Sequence, residues 1–232
     1  MNIIITGASR GIGKAIAEKF ASEGNTLLLC ARNEKQLQET ATAIKSSFPK
    51  TTIHTKAVDM RVKDQVLEFG KWCAGFGVTD ILVNNAGQFV PGSVYNEEDG
   101  ILEQMIETNL YSAYHLSRAV LPGMIKKKSG HIFNICSIAS LHAYENGGSY
   151  SISKFAMLGF SKNLREELKP HGVKVTAVLP GAVYTDAWSS SGVKAARIME
   201  SADVAAMVYA ASQLSAQACV EEIVMRPQLG DL

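Results

Sequence analysis

The chain has 232 residues, of which 47% are hydrophobic, and this length is enough for one domain with a sizeable core. The formal net charge is only +1 and Lys126 to Lys128 form the single basic cluster, which excludes the strongly basic surface of a typical nucleic-acid-binding protein. The four cysteines lie far apart without a CxxC pair, which argues against a zinc knuckle or a disulfide-stapled secreted domain.

The amino-terminal residues do not resemble a targeting segment. Met1 to Gly7 has no basic region, and its apolar run is too short for a signal peptide. Apolar stretches elsewhere fall short of the roughly eighteen residues that a membrane span needs. The five histidines show no metal-ligand spacing. We therefore expect a cytoplasmic protein with no metal, no membrane partner and no nucleic-acid partner.

Strand and helix patterns alternate along the chain. Short runs of β-branched residues and leucine predict buried strands at Ile3 to Ile5, Leu27 to Cys30, Ile53 to Val58, Ile81 to Val83, His131 to Cys136, Val173 to Leu179 and Glu221 to Met225. Apolar residues three and four apart predict helices at Ile12 to Ser22, Glu34 to Ser46, Lys63 to Trp72, Ile101 to Lys127, Ser151 to Leu168 and Ala205 to Leu214. Right-handed crossovers then imply an α/β protein: one domain over residues 1–232, with a doubly wound parallel sheet of about seven strands and helices on both faces.

A glycine-rich turn, Thr6 to Gly13, directly follows the first strand and opens the first helix. Glycines let a backbone turn sharply and approach a pyrophosphate, whose charge is favoured by the amides at a helix N-terminus. Tight turns of many kinds use glycine for its conformational freedom. The position after the first strand nevertheless predicts a dinucleotide site that includes Gly7, Ser9, Arg10, Gly11, Ile12 and Gly13.

The end of the second strand bears on which dinucleotide is bound. An NAD site usually places a carboxylate about twenty residues after the turn, where it binds the ribose 2′-hydroxyl. Here the strand ends Leu29-Cys30-Ala31-Arg32, without a carboxylate. Arg32 suits a 2′-phosphate, and Arg10 can reach the same group. We therefore predict NADP(H), with NAD(H) as the alternative if Arg32 is simply solvated.

A tyrosine and a lysine mark a candidate acid–base site. Tyr150 and Lys154 stand one helical turn apart, so both can point into one site. A phenol has a pKa of about 10, and a neighbouring ammonium lowers that pKa by favouring phenolate. Ser137 follows the strand His131 to Cys136, at the carboxyl edge where open α/β sheets bind ligands. The alternative is an exposed surface pair on the helix.

These motifs together resemble the short-chain dehydrogenase/reductase family over almost the whole chain. They are Thr6-Gly7-x-x-x-Gly11-x-Gly13, Asn84-Asn85-Ala86-Gly87, Ser137, Tyr150-x-x-x-Lys154 and Pro180-Gly181, in the family's order and spacing. The resemblance implies a single-domain Rossmann fold and a homodimer or homotetramer formed through the two longest helices.

The resemblance also implies a catalytic tetrad of Asn109, Ser137, Tyr150 and Lys154. Tyr150 would protonate the carbonyl oxygen and Ser137 would steady the substrate oxygen. Lys154 would hold the nicotinamide ribose, and Asn109 would hold a water that links Lys154 to solvent.

Further cofactor contacts follow from the same resemblance. Asp59 would meet the adenine amino group, and the remaining contacts along the ribose and nicotinamide would come from Asn85, Ala86, Gly87, Pro180, Gly181, Val183 and Thr185. Asp59 as a helix cap and Asn84-Asn85 as a simple turn are the alternative interpretations.

Candidate substrate residues form an aromatic rim, which suits a flat or apolar carbonyl compound. They are Ser137, Gln88, Phe89, His142, Tyr144 and Trp188, the last within a short lid around residues 182–202. Two alternatives are equally open: Phe89 and Trp188 pack the lid, and His142 has a structural role. The compact layout is somewhat similar to sepiapterin-reductase-like and carbonyl-reductase-like members, so a pterin or a diketone is a candidate substrate.

The predicted function is NADPH-dependent reduction of a ketone or aldehyde, with Tyr150 as the general acid or base. Two alternatives remain: an NAD-dependent alcohol dehydrogenase working oxidatively, and a cofactor-binding scaffold without activity, since a fold does not determine function.

Overall fold

The computed structural model of the chain describes residues 1–185 and 192–231. Within them the strands are β1 (Asn2–Thr6), β2 (Thr26–Ala31), β3 (Thr52–Ala57), β4 (Ile81–Asn84), β5 (Gly130–Ile135), β6 (Val173–Pro180), β7 (Val183–Tyr184), β8 (Met199–Glu200) and β9 (Glu222–Met225). Seven of them form one parallel sheet in the order β3-β2-β1-β4-β5-β6-β9, and β7 pairs with β8. The predicted doubly wound parallel sheet is confirmed.

Helices cover both faces of this sheet. They are α1 (Gly11–Ala21), α2 (Glu34–Ser47), α3 (Lys63–Ala74), α4 (Ile101–Ile106), α5 (Ser112–Lys127), α6 (Gly148–Leu168) and α7 (Ser201–Ser212). One core cluster joins α1, α2 and α7 to the sheet, and a second joins α3, α5 and α6 to the opposite face. Among the helices of the described residues, none has the length and apolar content that a membrane crossing requires.

The first strand shows why its sequence is continuously apolar. Ile3 and Ile5 contribute to the core cluster that contains Phe20, whereas Ile4 contributes to the cluster on the other face with Leu28. Successive side chains of a strand point to opposite faces, so a strand covered on both sides buries every residue. All three isoleucines are fully buried.

Three predicted helices differ from the structure by more than two residues or in their continuity. Helix α6 begins at Gly148, before the predicted Ser151. The predicted helix Ile101 to Lys127 consists of α4 and α5 joined by a π-helical turn, Glu107–Tyr111. Helix α7 begins at Ser201, before the predicted Ala205, because Glu200 and Asp203 form a capping box at its N-terminus.

The strand order reverses at β1, which pairs with β2 on one side and with β4 on the other. In open α/β sheets, a crevice forms beyond the carboxyl ends of the strands at such a reversal. The turns after β1, β2, β3 and β4 therefore meet at one edge of the sheet, which contains the candidate site.

Candidate cofactor and active site

The turn after β1 depends on glycine. Gly7 and Gly11 have φ angles of +64° and +54°, in the left-handed region that favours glycine. A Cβ on Gly13 would lie 2.4 Å from the Gly7 carbonyl oxygen and 2.5 Å from the side-chain nitrogen of Asn85. Because these glycines have no side chains, the first turn of α1 packs directly against the end of β1.

Asn85 holds this turn against β4. Its Nδ2 donates to the carbonyl oxygen of Thr6 at 2.8 Å and to that of Gly7 at 3.2 Å. The Thr6 hydroxyl oxygen accepts from the backbone N–H groups of Asn85 at 3.0 Å and Ala86 at 2.8 Å. The side chain of Asn85 therefore braces the turn, and its predicted contact with the cofactor stays a prediction.

A cavity of about 450 Å³ extends from the glycine turn across the ends of the neighbouring strands. Its lining includes eleven residues predicted from the sequence: Gly7, Ser9, Arg10, Gly11, Ile12, Arg32, Asp59, Asn85, Ala86, Gly87 and Thr185. Sequence reasoning missed others, namely Ala31, Asn33, Gln36, Val58, Met60, Arg61 and Thr108. Six other predicted residues lie outside that lining: Gly13, Tyr150, Lys154, Pro180 at the end of β6, Gly181 after it, and Val183 in β7.

Arg61 is the most consequential residue that the sequence reasoning missed. Its Nη2 lies 2.6 Å from Asp59 Oδ2, and its Nε donates to Asp59 Oδ1 at 3.1 Å. The hydrogen bonds from Arg61, aided by the charge of Arg32, hold the pKa of Asp59 below its usual range. The predicted adenine contact of Asp59 would therefore share a carboxylate already paired with Arg61. The sequence signal for this ion pair was a basic residue two positions after Asp59.

Tyr150 and Lys154 lie on the first turns of α6, as predicted. Lys154 is 6% exposed, and its Nζ donates to the Ile135 carbonyl oxygen at 2.9 Å. That Nζ lies 5.7 Å from the centre of the Tyr150 ring. The Ser137 side chain is close enough to the Tyr150 hydroxyl to act on its pKa. The structure thus brings Ser137, Tyr150 and Lys154 together.

The pKa of Tyr150 moves in the direction opposite to the one predicted. Burial raises the pKa of Tyr150 above its usual value, and the nearby Ser137 side chain opposes this change. Burial also lowers the pKa of Lys154. Desolvation disfavours the phenolate of Tyr150 and the ammonium of Lys154. Among the protein's own groups, this effect outweighs the attraction between these two charges that the spacing of the residues suggested.

Ser137 is held in one orientation just after β5. Its hydroxyl oxygen accepts from the backbone N–H of Ala139 at 3.1 Å, and its own N–H donates to the Ser140 hydroxyl at 3.2 Å. These bonds form a capping box on the short 3₁₀ turn Ile138–Ser140. One bond holds the Ser137 hydroxyl and the other holds its backbone, which favours a positioning role.

Asn109 lies in the π-helical turn between α4 and α5, and such turns are frequent at functional sites. Its Oδ1 accepts from the Gln88 backbone N–H at 2.8 Å, and its Nδ2 donates to the Gln88 carbonyl oxygen at 3.0 Å and to Ser153 Oγ at 2.8 Å. Ser153 Oγ in turn donates to the Tyr150 carbonyl oxygen at 2.7 Å. The side-chain amide therefore links the loop after β4 to α6, and the predicted water contact stays a prediction.

The candidate substrate residues occupy different positions around Tyr150. The rings of Phe89 and Tyr150 are 4.8 Å apart at 80°, an edge-to-face contact. Tyr144 is half-exposed, and burial of its hydroxyl with repulsion from Tyr150 raises the pKa of Tyr144 to about 12. His142 is exposed, and Trp188 lies outside the described residues.

Gln88 differs from the other substrate candidates. Its Oε1 is buried and has no hydrogen-bond partner among the residues that the structure describes. A buried acceptor without a donor is uncommon in proteins, and Gln88 therefore remains the most informative polar candidate in this loop.

The residues present fit a nicotinamide dinucleotide. The glycine turn leaves the first amides of α1 facing the cavity, where they suit a pyrophosphate. Gly87 connects this cavity to the tyrosine and lysine, because a Cβ on Gly87 would lie 3.7 Å from Lys154 Nζ. The fold, the glycine turn and the half-buried Tyr150 near buried Lys154 together define a dinucleotide-dependent oxidoreductase.

Comparison with known proteins agrees with this class. Residues 1–196 match the profile of the short chain dehydrogenase family, and the chain belongs to this family of oxidoreductases. An uncharacterized oxidoreductase of Staphylococcus saprophyticus is 34% identical over 97% of this chain and 96% of its own.

Two solved structures share the fold. A metagenomic short-chain oxidoreductase in complex with NADP is 31% identical, covers 98% of this chain and 97% of its own, and has a TM-score of 0.85. An alcohol dehydrogenase from the archaeon Thermococcus sibiricus, complexed with 5-hydroxy-NADP, is 27% identical with a TM-score of 0.89, over 98% of this chain and 96% of its own.

Proposed function

We propose that the protein is an NADP(H)-dependent oxidoreductase that reduces a ketone or an aldehyde to the alcohol. The observation that carries the proposal is the position of Ser137 and Tyr150 beside buried Lys154, which Gly87 connects to a cavity lined by three arginines. This arrangement supports a proton donor and a cofactor cavity on the same edge of the sheet.

Cofactor preference follows from the charges around the adenosine end of the cavity. Arg10, Arg32 and Arg61 line it, and the carboxylate of Asp59 there is paired with Arg61. Guanidinium groups bind phosphate with paired hydrogen bonds, so this end favours a 2′-phosphate over a bare hydroxyl. Both similar structures described above hold NADP or a derivative of it.

The proposed mechanism assigns the proton to Tyr150. A bound nicotinamide would supply the hydride in reduction and accept it in oxidation. Tyr150 Oη would donate its proton to the carbonyl oxygen, and burial keeps this hydroxyl protonated, as a general acid requires. Ser137 would hold the carbonyl oxygen beside Tyr150, while Lys154, tied to the Ile135 carbonyl oxygen, would orient the ribose.

Replacement of Tyr150 by Phe tests this assignment. The variant keeps the ring that packs against Phe89 but removes the proton. We expect turnover of a ketone or aldehyde panel to fall by about 10²- to 10⁴-fold, with the NADPH dissociation constant nearly unchanged. Turnover close to that of the unchanged protein would exclude Tyr150 as the proton donor.

Alcohol oxidation is the second candidate, favoured by the similarity to the Thermococcus sibiricus alcohol dehydrogenase. The same residues serve both directions, with Tyr150 accepting the proton in oxidation. Initial rates in both directions, with each of NADP and NAD, distinguish the two. Tight NADPH binding without turnover of any carbonyl or alcohol would instead indicate a scaffold.

The proposal includes a cytoplasmic homodimer or homotetramer that acts on a small apolar carbonyl compound. Helices α5 and α6 and the π turn expose large side chains, namely Tyr111, Tyr114, Ile152 and Phe155. Exposed apolar side chains on long helices suit contact with a second copy. Light scattering of the purified protein measures the mass, and an aspartate at Phe155 should shift a dimer or tetramer toward monomer.

A further inference from the structure

Helix α6, which carries Tyr150 and Lys154, receives its N-terminal cap from a distant loop. Its own N-cap residue is Gly147, which has no side chain to offer. The carboxylate of Glu97, in the loop between β4 and α4, accepts from the backbone N–H of Ser149 at 3.3 Å and from the Ser149 hydroxyl. A carboxylate at this end of a helix satisfies a free N–H group and is favoured by the helix dipole.

The packing around this contact leaves little room for movement. Gly148 has a φ angle of +36°, and a Cβ there would lie 2.4 Å from the Gly92 carbonyl oxygen and 2.9 Å from Glu97 Oε2. The Gly92 N–H donates to the Asn146 carbonyl oxygen at 3.1 Å, and Ser93 Oγ donates to Asn146 Oδ1 at 3.1 Å. The loop containing Glu97 is thus bonded to the residues that lead into α6.

Tyr150 lies between two such attachments. Glu97 bonds Ser149 on one side, and on the other side Asn109 bonds Ser153, whose hydroxyl donates to the Tyr150 carbonyl oxygen. Ser149 and Ser153 are fully buried, and Glu97 is half-buried. Displacement of a reacting group by about 1 Å can lower a rate by about 10²-fold.

We infer that Glu97 is a positioning residue for the proton-transfer step. It acts through Ser149, by fixing the first turn of α6 and hence the Tyr150 hydroxyl relative to Ser137. The inference rests on the proposed function, because it requires that Tyr150 transfers the proton. Glu97 is neither part of the cofactor cavity lining nor one of the residues assigned to the substrate.

Three single variants and one double variant of this pair test the inference. Glu97→Ala should lower kcat by about 10- to 100-fold, while the NADPH dissociation constant and the carbonyl KM change less than about threefold. Glu97→Gln keeps one acceptor oxygen for the two Ser149 donors and should recover part of the lost kcat. Ser149→Ala removes only the hydroxyl bond and should lower kcat less than Glu97→Ala does. The double variant should lose no more than Glu97→Ala alone, because that variant already removes both bonds to Ser149.

Two further variants make the outcome decisive. Glu98→Gln alters the exposed neighbouring carboxylate and should leave kcat unchanged. If Tyr150→Phe abolishes turnover but Glu97→Ala retains full kcat, the positioning role is wrong and the proposed function stands. Strictly additive losses in the double variant, or a kcat loss matched by weaker NADPH binding, would also overturn it. If Tyr150→Phe retains turnover, the proposed function itself fails.

Discussion

His131 should make the stability of the protein sensitive to acid. The residue lies on β5, is 6% exposed, and packs against the Phe133 ring with ring centres 3.9 Å apart. Thr176 Oγ1 donates to the Val220 carbonyl oxygen at 2.6 Å, so the 2.8 Å contact between this oxygen and His131 Nε2 requires His131 to be the donor. Nε2 therefore carries a hydrogen in the folded protein.

The size of the stability loss in acid follows from the pKa of His131. Burial, with a smaller contribution from the charge of Lys174, lowers the pKa of His131 from 6.5 to about 3. The unfolded chain then binds more protons than the folded protein between these values, so the free energy of unfolding falls as the pH decreases from about 6.5 towards 3. Each pH unit in this window costs about 1.4 kcal/mol, or about 2 kcal/mol between pH 6.5 and pH 5.

Urea unfolding of the unchanged protein and of His131→Gln, each at pH 7.5 and pH 5, measures this contribution. Glutamine keeps an N–H donor for Thr176 but does not titrate. The free energy of unfolding should fall by about 2 kcal/mol less in the variant than in the unchanged protein on going to pH 5. Equal losses in the two proteins would refute the reasoning, because other groups would then account for the acid sensitivity.

Further predictions concern the cofactor site and Tyr150. Arg32→Asp should weaken NADPH binding by about tenfold or more and leave NADH binding unchanged or tighter in fluorescence titrations; an unchanged preference would exclude Arg32 as the phosphate ligand. Gly13→Ala should abolish NADPH binding, because its Cβ would lie 2.4 Å from the Gly7 carbonyl oxygen. Gly159→Ala, where a Cβ meets no described atom within 4 Å, is the control and should stabilise α6 by about 0.5–1 kcal/mol. Without cofactor, the difference between the ultraviolet titrations of the unchanged protein and of Tyr150→Phe reports the ionisation of Tyr150. Its midpoint should lie above the usual tyrosine pKa, because burial raises the pKa of Tyr150. A midpoint below the usual value would contradict the dominance of burial.

Local sequence patterns were sufficient for most of the architecture. A strand that is buried on both faces of a parallel sheet has a continuous apolar run in its sequence. A helix that covers such a sheet has apolar residues three and four positions apart. The glycine turn and the Tyr150 to Lys154 spacing are equally local, because their geometry depends on a few consecutive residues. These features were therefore visible before any contact between distant residues was known.

The tertiary structure decided how these groups are held and charged. Asn109 reads as part of a regular helix, yet the π turn directs its amide to Gln88 and Ser153. Glu97 and Ser149 are 52 residues apart in sequence, and only the folded loops bring them together. The pKa of Tyr150 follows burial more than its distance from Lys154 along the helix, because desolvation depends on every element packed around the hydroxyl.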